Sequence, residues 1–242
     1  MENAIIMASG LGTRLRPLTN TISKPLLPVK GIPMIETVIN ALNRRGVDNI
    51  YVVTGYLAEQ FDYLAEKYAN LQCIYNEDYM TVNNISSVKA AEGVLSKGDC
   101  WICEADLYIS DENICMGTFD NSCYFGKMVK GYSADWVFEQ DATGRICRVG
   151  KGGTDCFNMV GVAYLCRNEA VVLRDALQEA YDLGNYQDLF WDEIVDRNLY
   201  RLPMRIHPVS SEQIMEIDTV KEYELANEKA GDIKWYRTLS KL

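Results

Sequence analysis

The stretch that decides the fold is residues 4–33, AIIMASGLGTRLRPLTNTISKPLLPVKGIP. A short apolar run ends in a Gly-rich loop with basic side chains, and a Ser-Lys-Pro sequence follows it. Gly10 and Gly12 let the backbone approach an anion closely, so that its N–H groups can bind phosphate. Arg14 adds a planar fork of donors and Lys24 a mobile point charge. The segment predicts a strand followed by a loop that binds a triphosphate.

Two well-known glycine signatures do not fit this loop. The dinucleotide fingerprint requires a third glycine where this chain has Leu15, and the Walker loop requires Gly-Lys-Ser/Thr where Thr13 and Arg14 follow Gly12. The remaining pattern, G-x-G-T-R-x-R-P-L-T joined to S-K-P-L-L-P-V, resembles the signature of nucleotidyltransferases. These enzymes make activated sugars and alcohols from a nucleoside triphosphate and a phosphomonoester. A plain strand-to-helix turn with a solvated lysine is the alternative, and the specificity of the joint pattern disfavours it.

Length and charge limit the class of protein. The chain has 242 residues, 48% of them hydrophobic, and a net charge of −10. This length suits one α/β domain over 1–242, and we predict a nucleotide-binding half at 1–110 and an acceptor-binding half at 111–242. The acidic balance opposes general attraction to nucleic acid or to an anionic membrane surface. Anionic substrates must therefore be bound by local cations and metal ions.

The cysteines and the amino terminus indicate a reducing compartment. The first residues lack the basic start and the long apolar run of a signal peptide, so we expect a cytoplasmic protein without a membrane partner. The eight cysteines are scattered among apolar residues, as reduced thiols are. Cys100 and Cys103 form a C-x-x-C, but on a strand they would point to opposite faces, which disfavours a metal or redox role. The single histidine, His207, makes histidine-based catalysis an unfavourable hypothesis.

Apolar runs and amphipathic segments alternate along the first hundred residues. Apolar strands separated by helices predict a parallel sheet covered on both faces, with ligands at the carboxyl ends of its strands. Shorter β-like runs then follow, with a hairpin turn at 141–144. The fold class is therefore α/β, a Rossmann-like mixed and mainly parallel sheet with helices on both faces plus a small β addition. We predict strands at 4–8, 49–55, 71–76, 99–106, 123–129, 136–141, 145–150, 157–165 and 205–209, and helices at 33–45, 57–68, 86–95, 168–198 and from about 220.

The reaction that the resemblance implies sets requirements on the site. Attack of a phosphate oxygen on the α-phosphorus of a nucleotide brings anionic groups together, so it depends on positioning and charge neutralisation. Mg²⁺ meets this need and prefers carboxylate ligands. In the family, an aspartate after the fourth strand and one in a late E-x-D motif hold the metal, which implies Asp106 and Asp218 here. A helix cap or a solvated turn is the alternative for each aspartate.

The remaining nucleotide contacts follow from the same loop. Lys24 would neutralise the α-phosphate and Arg14 would bind the β- and γ-phosphates, so both are predicted catalytic residues together with Asp106. We expect the base over Ala8 and Ser9, bounded by residues 76–86. The amides and hydroxyls at 83–87 suit recognition of a pyrimidine edge, although a helix cap explains each of them as well. The predicted nucleotide-binding residues are Ala8, Ser9, Gly10, Leu11, Gly12, Asn83, Asn84 and Ser86.

One branch of the family is especially similar, the LicC-like choline-phosphate cytidylyltransferases of bacteria. The similarity runs through 55–68, the Asn83-Asn84 pair, 135–136, 186–195 and 216–224. It implies cytidylyl transfer from CTP to phosphocholine, giving CDP-choline and pyrophosphate. A quaternary ammonium donates no hydrogen bonds and is bound by aromatic faces and carboxylates. The predicted acceptor residues are Trp136, Phe190, Trp191, Asp192 and Glu216, with Phe190 in place of the tyrosine expected in that branch.

Other acceptors and one other class remain open. A 2-aminoethylphosphonate enzyme would need carboxylates and hydrogen-bond acceptors for a primary ammonium, and a sugar 1-phosphate enzyme would need several polar contacts. The pyrimidine base could belong to CTP, UTP or dTTP. A catalytically silent nucleotide-binding homologue is the alternative from another class. The joint presence of Arg14, Lys24, Asp106 and Asp218 disfavours it.

Overall fold

A computed structural model of the chain describes residues 1–228. Its strands are β1 Glu2–Ala8, β2 Pro28–Val29, β3 Ile32–Pro33, β4 Asn49–Thr54, β5 Leu71–Tyr75, β6 Asp99–Glu104, β7 Leu107–Ile109, β8 Cys123–Gln140, β9 Ile146–Leu165, β10 Arg205–Pro208 and β11 Ile214–Glu216. Its α-helices are α1 Met34–Arg45, α2 Asp62–Lys67, α3 Ile85–Ala90, α4 Arg167–Leu183, α5 Trp191–Arg197 and α6 Val220–Glu228. Short 3-10 helices lie at Thr13–Leu15, Leu18–Asn20, Lys24–Leu26, Ala58–Phe61 and Glu92–Ser96.

A seven-stranded sheet runs through the molecule in the order β10-β8-β9-β6-β1-β4-β5. Strands β6, β1, β4 and β5 are parallel, whereas β9 is antiparallel to both β6 and β8. Strand β1 lies inside the sheet, and its successive residues Ile5 and Ile6 are both fully buried. A strand that is apolar on both faces needs cover on both faces. The predicted mixed, mainly parallel sheet is confirmed.

Helices cover both faces of this sheet. One apolar cluster joins α1 and α2 to the sheet, and another joins α3, α4 and α5 to the opposite face. In α1 four large apolar residues recur with the helical period and are fully buried: Ile35, Val38, Ile39 and Leu42. Cys100 and Cys103 belong to different clusters, as expected for a strand. Within residues 1–228, no helix combines the length and the apolar character needed to cross a membrane.

The chain after residue 121 differs from the sequence prediction in its strand lengths. The four predicted short runs form only two strands, β8 and β9, joined by the predicted hairpin turn in which the Gly144 N–H donates to the Asp141 carbonyl at 3.0 Å. The register shifts between Val129 and Tyr132 and again between Ser133 and Trp136. Such irregularities interrupt the alternation of polar and apolar residues, which is why the sequence resembled separate strands.

Three helical predictions also change. The predicted helix at 57–68 is the 3-10 helix Ala58–Phe61 followed by α2. The predicted helix at 168–198 is divided into α4 and α5 by a segment that starts at Gly184, whose φ of +75° does not continue a helix. The predicted helix at 86–95 is α3 followed by a 3-10 helix. The sheet includes strands from both predicted halves. The division at residue 110 remains a prediction, and residues 229–242 of the predicted domain and last helix lie outside the described residues.

Candidate active site

A cleft of about 860 Å³ lies at the carboxyl ends of β1 and β6. The glycine loop after β1 forms one end, and side chains from β8, β9 and the start of α5 form the other. Ligands of parallel α/β sheets bind at this edge because the strand ends and their loops converge there. We call the first end the nucleotide end and the second the acceptor end. A second cavity, of about 410 Å³, adjoins the loop and is lined by Lys24, Asp106 and Asp218.

Lys24 lies between two carboxylates. Its Nζ donates to Asp106 Oδ2 and, at 2.6 Å, to Asp218 Oδ1, which also accepts from Arg14 Nη2 at 2.7 Å. Burial alone would lower the pKa of Lys24, but the two carboxylates raise it well above its usual range. Burial opposes ionisation of Asp218, and Lys24 nevertheless holds the pKa of that carboxyl below its usual range. The site therefore carries fixed charges of both signs at neutral pH.

Short strands bring these carboxylates together. Asp106 precedes β7 and Asp218 follows β11, and the two strands pair antiparallel with Glu216 opposite Leu107. The Ile217 N–H donates to the Asp106 carbonyl at 3.3 Å, which extends the pairing to the site. Gly12 completes the contact from the loop side. At its φ of +60°, a Cβ atom would lie 2.8 Å from the Lys24 Cβ atom.

The carboxylates fit a divalent cation. Ligand oxygens of Asp106, Glu216 and Asp218 lie within 4.8 Å of one another. A hard cation such as Mg²⁺ is bound by a few carboxylates plus phosphate oxygens and water, and these residues offer the carboxylates. Glu104 lies near them in the cleft. Burial, with the charges of Glu216 and Asp106, raises its pKa well above its usual range.

Buried hydroxyls and an amide surround the nucleotide end. Ser9 Oγ lies 2.8 Å from Ser87 Oγ, and Asn76 Nδ2 donates to Ser86 Oγ at 2.9 Å. Because these side chains are buried, the hydrogen bonds among them fix the orientations of their polar atoms. Gly55 allows this packing, because a Cβ atom there would lie 2.7 Å from Tyr79 Cγ. Ser9, Ser86, Ser87 and Tyr79 all line the cleft.

The predicted base-reading asparagines line the cleft, but their side chains also join its two ends. Asn83 Nδ2 donates to the Asp188 carbonyl at 3.2 Å, and Asn84 Oδ1 accepts from the Trp191 N–H at 3.0 Å. Asn84 thus satisfies a free N–H group in the first turn of α5. A helix cap was the alternative role for these asparagines. Asn84 does cap a helix, but that helix is α5 and not α3, which directly follows it in the chain. Gly10, Leu11 and Gly12 line the cleft, and Ala8 lines the adjoining second cavity.

The acceptor end contains most, but not all, of the predicted aromatic residues. Trp136 and Phe190 meet edge to face with ring centroids 5.3 Å apart, and both line the cleft. The expectation for Trp191 is corrected, because its side chain is 3% exposed and packs on Tyr124 at a centroid distance of 5.6 Å. As the first residue of α5, Trp191 points into the core with Ile194 and Val195. Two rings therefore form one aromatic wall, which we call the Trp136–Phe190 wall.

Asp192 and Glu216, the two predicted acceptor carboxylates, both line the cleft, and Glu216 lies among the oxygens of Asp106 and Asp218. Asp192 is buried, and burial raises its pKa to about 7 even though the Tyr124 hydroxyl donates to its Oδ1 at 3.0 Å. A carboxyl with that pKa gains or loses its proton near neutral pH, and a nearby cation favours its ionised form.

Comparison with known proteins identifies the family. A family model described as nucleotidyl transferase matches residues 3–122. A 2-aminoethylphosphonate cytidylyltransferase of Lancefieldella rimae is 50% identical over 91% of this chain and 89% of its own length. This chain belongs to the nucleotidyl transferase family. A choline-phosphate cytidylyltransferase of Streptococcus pneumoniae is 31% identical over 91% of this chain and 94% of its own.

Solved structures agree with the fold of this nucleotidyltransferase. The CTP:phosphocholine cytidylyltransferase of Streptococcus pneumoniae superposes with a TM-score of 0.86 at 30% identity, covering 94% of this chain and 98% of that one. A putative glucose-1-phosphate thymidylyltransferase of Bacillus anthracis has a TM-score of 0.77 at 16% identity, covering 99% of both chains. The second likeness concerns the fold alone.

Several cleft residues of the nucleotidyltransferase are absent from the sequence prediction. Asn158 is buried, and its Nδ2 donates to Ser133 Oγ at 2.8 Å and to Asp135 Oδ2 at 3.1 Å. Its Oδ1 is buried and has no hydrogen-bond partner among residues 1–228. These residues follow no motif, and only the position of β8 and β9 beside the cleft reveals them. The other missed residues include Glu104, Lys127 and Lys151.

Proposed function

We propose that this nucleotidyltransferase transfers the cytidylyl group of CTP to a small phosphonate that carries a primary ammonium, with 2-aminoethylphosphonate as the leading acceptor. The buried Asn158 Oδ1, an acceptor without a partner among the described residues, carries this choice. A buried polar atom needs a hydrogen bond, and a primary ammonium has three donors, whereas a trimethylammonium has none. Asp192, whose pKa of about 7 lets an arriving cation favour its ionised form, lines the same cleft, and so does the carboxyl of Glu104, which can accept a hydrogen bond. The relative with 50% identity acts on that acceptor by its name.

The reaction uses the cations of the nucleotide end. Backbone N–H groups at Gly10–Gly12 and the Arg14 guanidinium hold the β- and γ-phosphates, and the Lys24 ammonium neutralises charge that develops on the α-phosphate. An oxygen of the acceptor phosphonate forms a bond to the α-phosphorus, and the bond from that phosphorus to the bridging oxygen breaks. Pyrophosphate leaves with the electron pair. The attacking oxygen is already anionic, so no side chain has to remove a proton from it.

Asp106 and Asp218 have two tasks in this proposal. They hold the Lys24 ammonium at the carboxyl edge of the sheet, and with Glu216 they form the oxygen set that would bind Mg²⁺. A bound Mg²⁺ supplies further neutralisation of the phosphate oxygens. At the other end of the acceptor, the arriving ammonium favours the ionised form of Asp192, because an opposite charge lowers the pKa of a carboxyl.

Phosphocholine, the acceptor predicted from the sequence, is the second candidate. The Trp136–Phe190 wall favours it, since aromatic faces bind a quaternary ammonium. The relatives at 31% and 30% identity, from Streptococcus pneumoniae and Haemophilus influenzae, are choline-phosphate cytidylyltransferases by name. Among residues 1–228 the wall has two rings, because Trp191 is in the core, and the Asn158 oxygen, which has no partner there, gains nothing from choline.

Pyrophosphate release tests the proposal. The purified chain is incubated with Mg²⁺ and CTP, UTP, dTTP or ATP against 2-aminoethylphosphonate, phosphocholine and glucose 1-phosphate. We expect the highest kcat/KM with CTP and 2-aminoethylphosphonate. A preference for phosphocholine would overturn the acceptor assignment and retain the chemistry. Absence of release with every pair would overturn the enzymatic proposal and favour the silent homologue, provided that nucleotide binding is retained.

A further inference from the structure

We propose that Lys151 selects against quaternary ammonium acceptors by covering the Trp136–Phe190 wall with its own cation. The inference rests on the proposed function, because it concerns the acceptor end of the same cleft. Lys151 lines that cleft and is opposite Trp136 in the β8–β9 pairing. It lies outside the sequence patterns of the nucleotide-binding loop.

The position of the Lys151 ammonium supports this role. Its Nζ is 5.7 Å from the centroid of the Trp136 ring and 5.4 Å from the centroid of the Phe190 ring. A cation within about 6 Å of a ring centroid is attracted by the negative face of the ring. One side chain of the protein therefore occupies the position that a choline head group would need on both rings.

The backbone at Lys151 is held in place by Arg148. The Arg148 Nη2 donates to the Lys151 carbonyl at 2.8 Å, and its Nη1 donates to the Gly152 carbonyl at 3.3 Å and to Glu139 Oε1 at 2.8 Å. Gly152 has a φ of +76°, which a residue with a side chain adopts at a cost. These contacts fix the part of β9 from which Lys151 extends, so the position of the ammonium does not depend on the side chain alone.

The two candidate head groups respond differently to this cation. A trimethylammonium has only the ring faces as partners, and there it meets a like charge or must displace Lys151. A primary ammonium donates hydrogen bonds to Asn158 Oδ1 and to carboxylates, and it leaves the rings to Lys151. Lys151 therefore acts as a repulsive element against one acceptor, which is a common source of specificity.

Two variants of Lys151 test the proposal. Lys151→Met keeps a long apolar side chain without the charge, whereas Lys151→Arg keeps a cation that can stack on the rings. We measure kcat and KM for phosphocholine and for 2-aminoethylphosphonate by pyrophosphate release with CTP and Mg²⁺. In Lys151→Met we expect the ratio of kcat/KM values, phosphocholine over 2-aminoethylphosphonate, to rise roughly fivefold or more through a lower KM for phosphocholine. In Lys151→Arg we expect the wild-type ratio.

A matched control removes a similar lysine elsewhere. Lys97 lies 4.9 Å from the centroid of the Tyr51 ring and does not line the cleft, so Lys97→Met should leave the ratio unchanged. An unchanged ratio in Lys151→Met, or an equal rise in Lys151→Arg, would overturn the proposal.

A binding measurement separates this inference from the proposed function. If the wild type releases no pyrophosphate with any acceptor, the proposed function fails, and calorimetric titration with phosphocholine still tests Lys151. Tighter binding of phosphocholine to Lys151→Met than to the wild type supports the proposal that Lys151 covers the rings. Equal binding overturns it.

Discussion

Lys24 is held by Asp106 and Asp218 at once, so each carboxylate both orients a cation and offers oxygens to a metal. Replacing Asp106 by Asn keeps the shape and removes the charge. We expect turnover to fall roughly a hundredfold or more, since loss of one preorganised electrostatic contact has that effect. Steady-state pyrophosphate release at saturating CTP measures it, with Asp175→Asn on the exposed part of α4 as the control. Full activity of Asp106→Asn would refute the assignment.

Asp192 gives the molecule a pH dependence. Its pKa is raised to about 7 by burial, with Glu193 adding to the shift and Glu104 nearby, and Tyr124 opposing it. The folded state therefore retains a proton that the unfolded state releases near pH 4. The stabilising contribution of that proton is complete below about pH 4 and is lost as the pH rises to about 7.

Asp192→Asn removes this loss because asparagine does not ionise. The quantity of interest is the free energy of unfolding of Asp192→Asn minus that of the wild type. We expect this difference to be larger at pH 8 than at pH 5 by on the order of 2 kcal/mol. Urea unfolding at the two pH values measures it. The same substitution should lower kcat/KM for an ammonium-bearing acceptor. An equal stability difference at pH 5 and pH 8 would show that Asp192 is ionised in the folded protein.

The sequence predicted the residues whose spacing forms a motif and missed those that only packing brings near. Arg14, Lys24, Asp106 and Asp218 converge as expected. Lys151 carries no such signal, because it lies between the predicted β-like runs at 145–150 and 157–165, where a charged residue usually faces solvent. Trp191 was misplaced because its direction depends on where α5 begins, and adjacent residues of a helix point about 100° apart around its axis.

At the scale of elements, the loop after β1 depends on Gly12. A Cβ atom there would lie 2.8 Å from Lys24 Cβ and 3.1 Å from Thr19 Cγ2, at a φ of +60°. Gly31 also has a positive φ, +83°, but a Cβ atom there would meet no atom within 4 Å. Comparing substitutions at the two glycines therefore distinguishes backbone strain, which both would cause, from displacement of Lys24, which only the substitution at Gly12 would cause.

Gly12→Ala and Gly31→Ala should both lose roughly 1 kcal/mol of stability from the left-handed conformation. Only Gly12→Ala moves Lys24, and a catalytic group displaced by a fraction of an ångström to an ångström costs roughly tenfold to a hundredfold in rate. Thermal unfolding and pyrophosphate release measured on the same samples distinguish the two effects. Similar activity in the two variants would show that Lys24 adapts to the added methyl group.

The prediction of secondary structure from the sequence was incomplete for the long strands β8 and β9. Their sequences contain the β-like runs that were expected, and the hairpin turn lies at 141–144 as predicted. The register shifts within the pair make continuous strands look interrupted. The pair β7–β11 was missed as well, because three-residue strands are too short for a pattern, although this pair brings Asp106 and Asp218 together.

For the whole molecule, the seven-stranded sheet joins the two predicted halves through the pairing of β6 with β9, from Cys100–Leu165 to Cys103–Val162. The cleft takes its lining from both halves, so a ligand there binds only the complete fold.

We expect one cooperative unfolding transition. Because binding to the folded state alone adds roughly 2.7 kcal/mol at a hundredfold excess over Kd, Mg²⁺ with CTP should raise its Tm by about 5–10 °C. Scanning calorimetry measures this shift, with ATP as the control nucleotide. Two transitions, of which CTP moves only one, would show that residues 1–110 and the rest of the chain unfold separately despite the shared sheet.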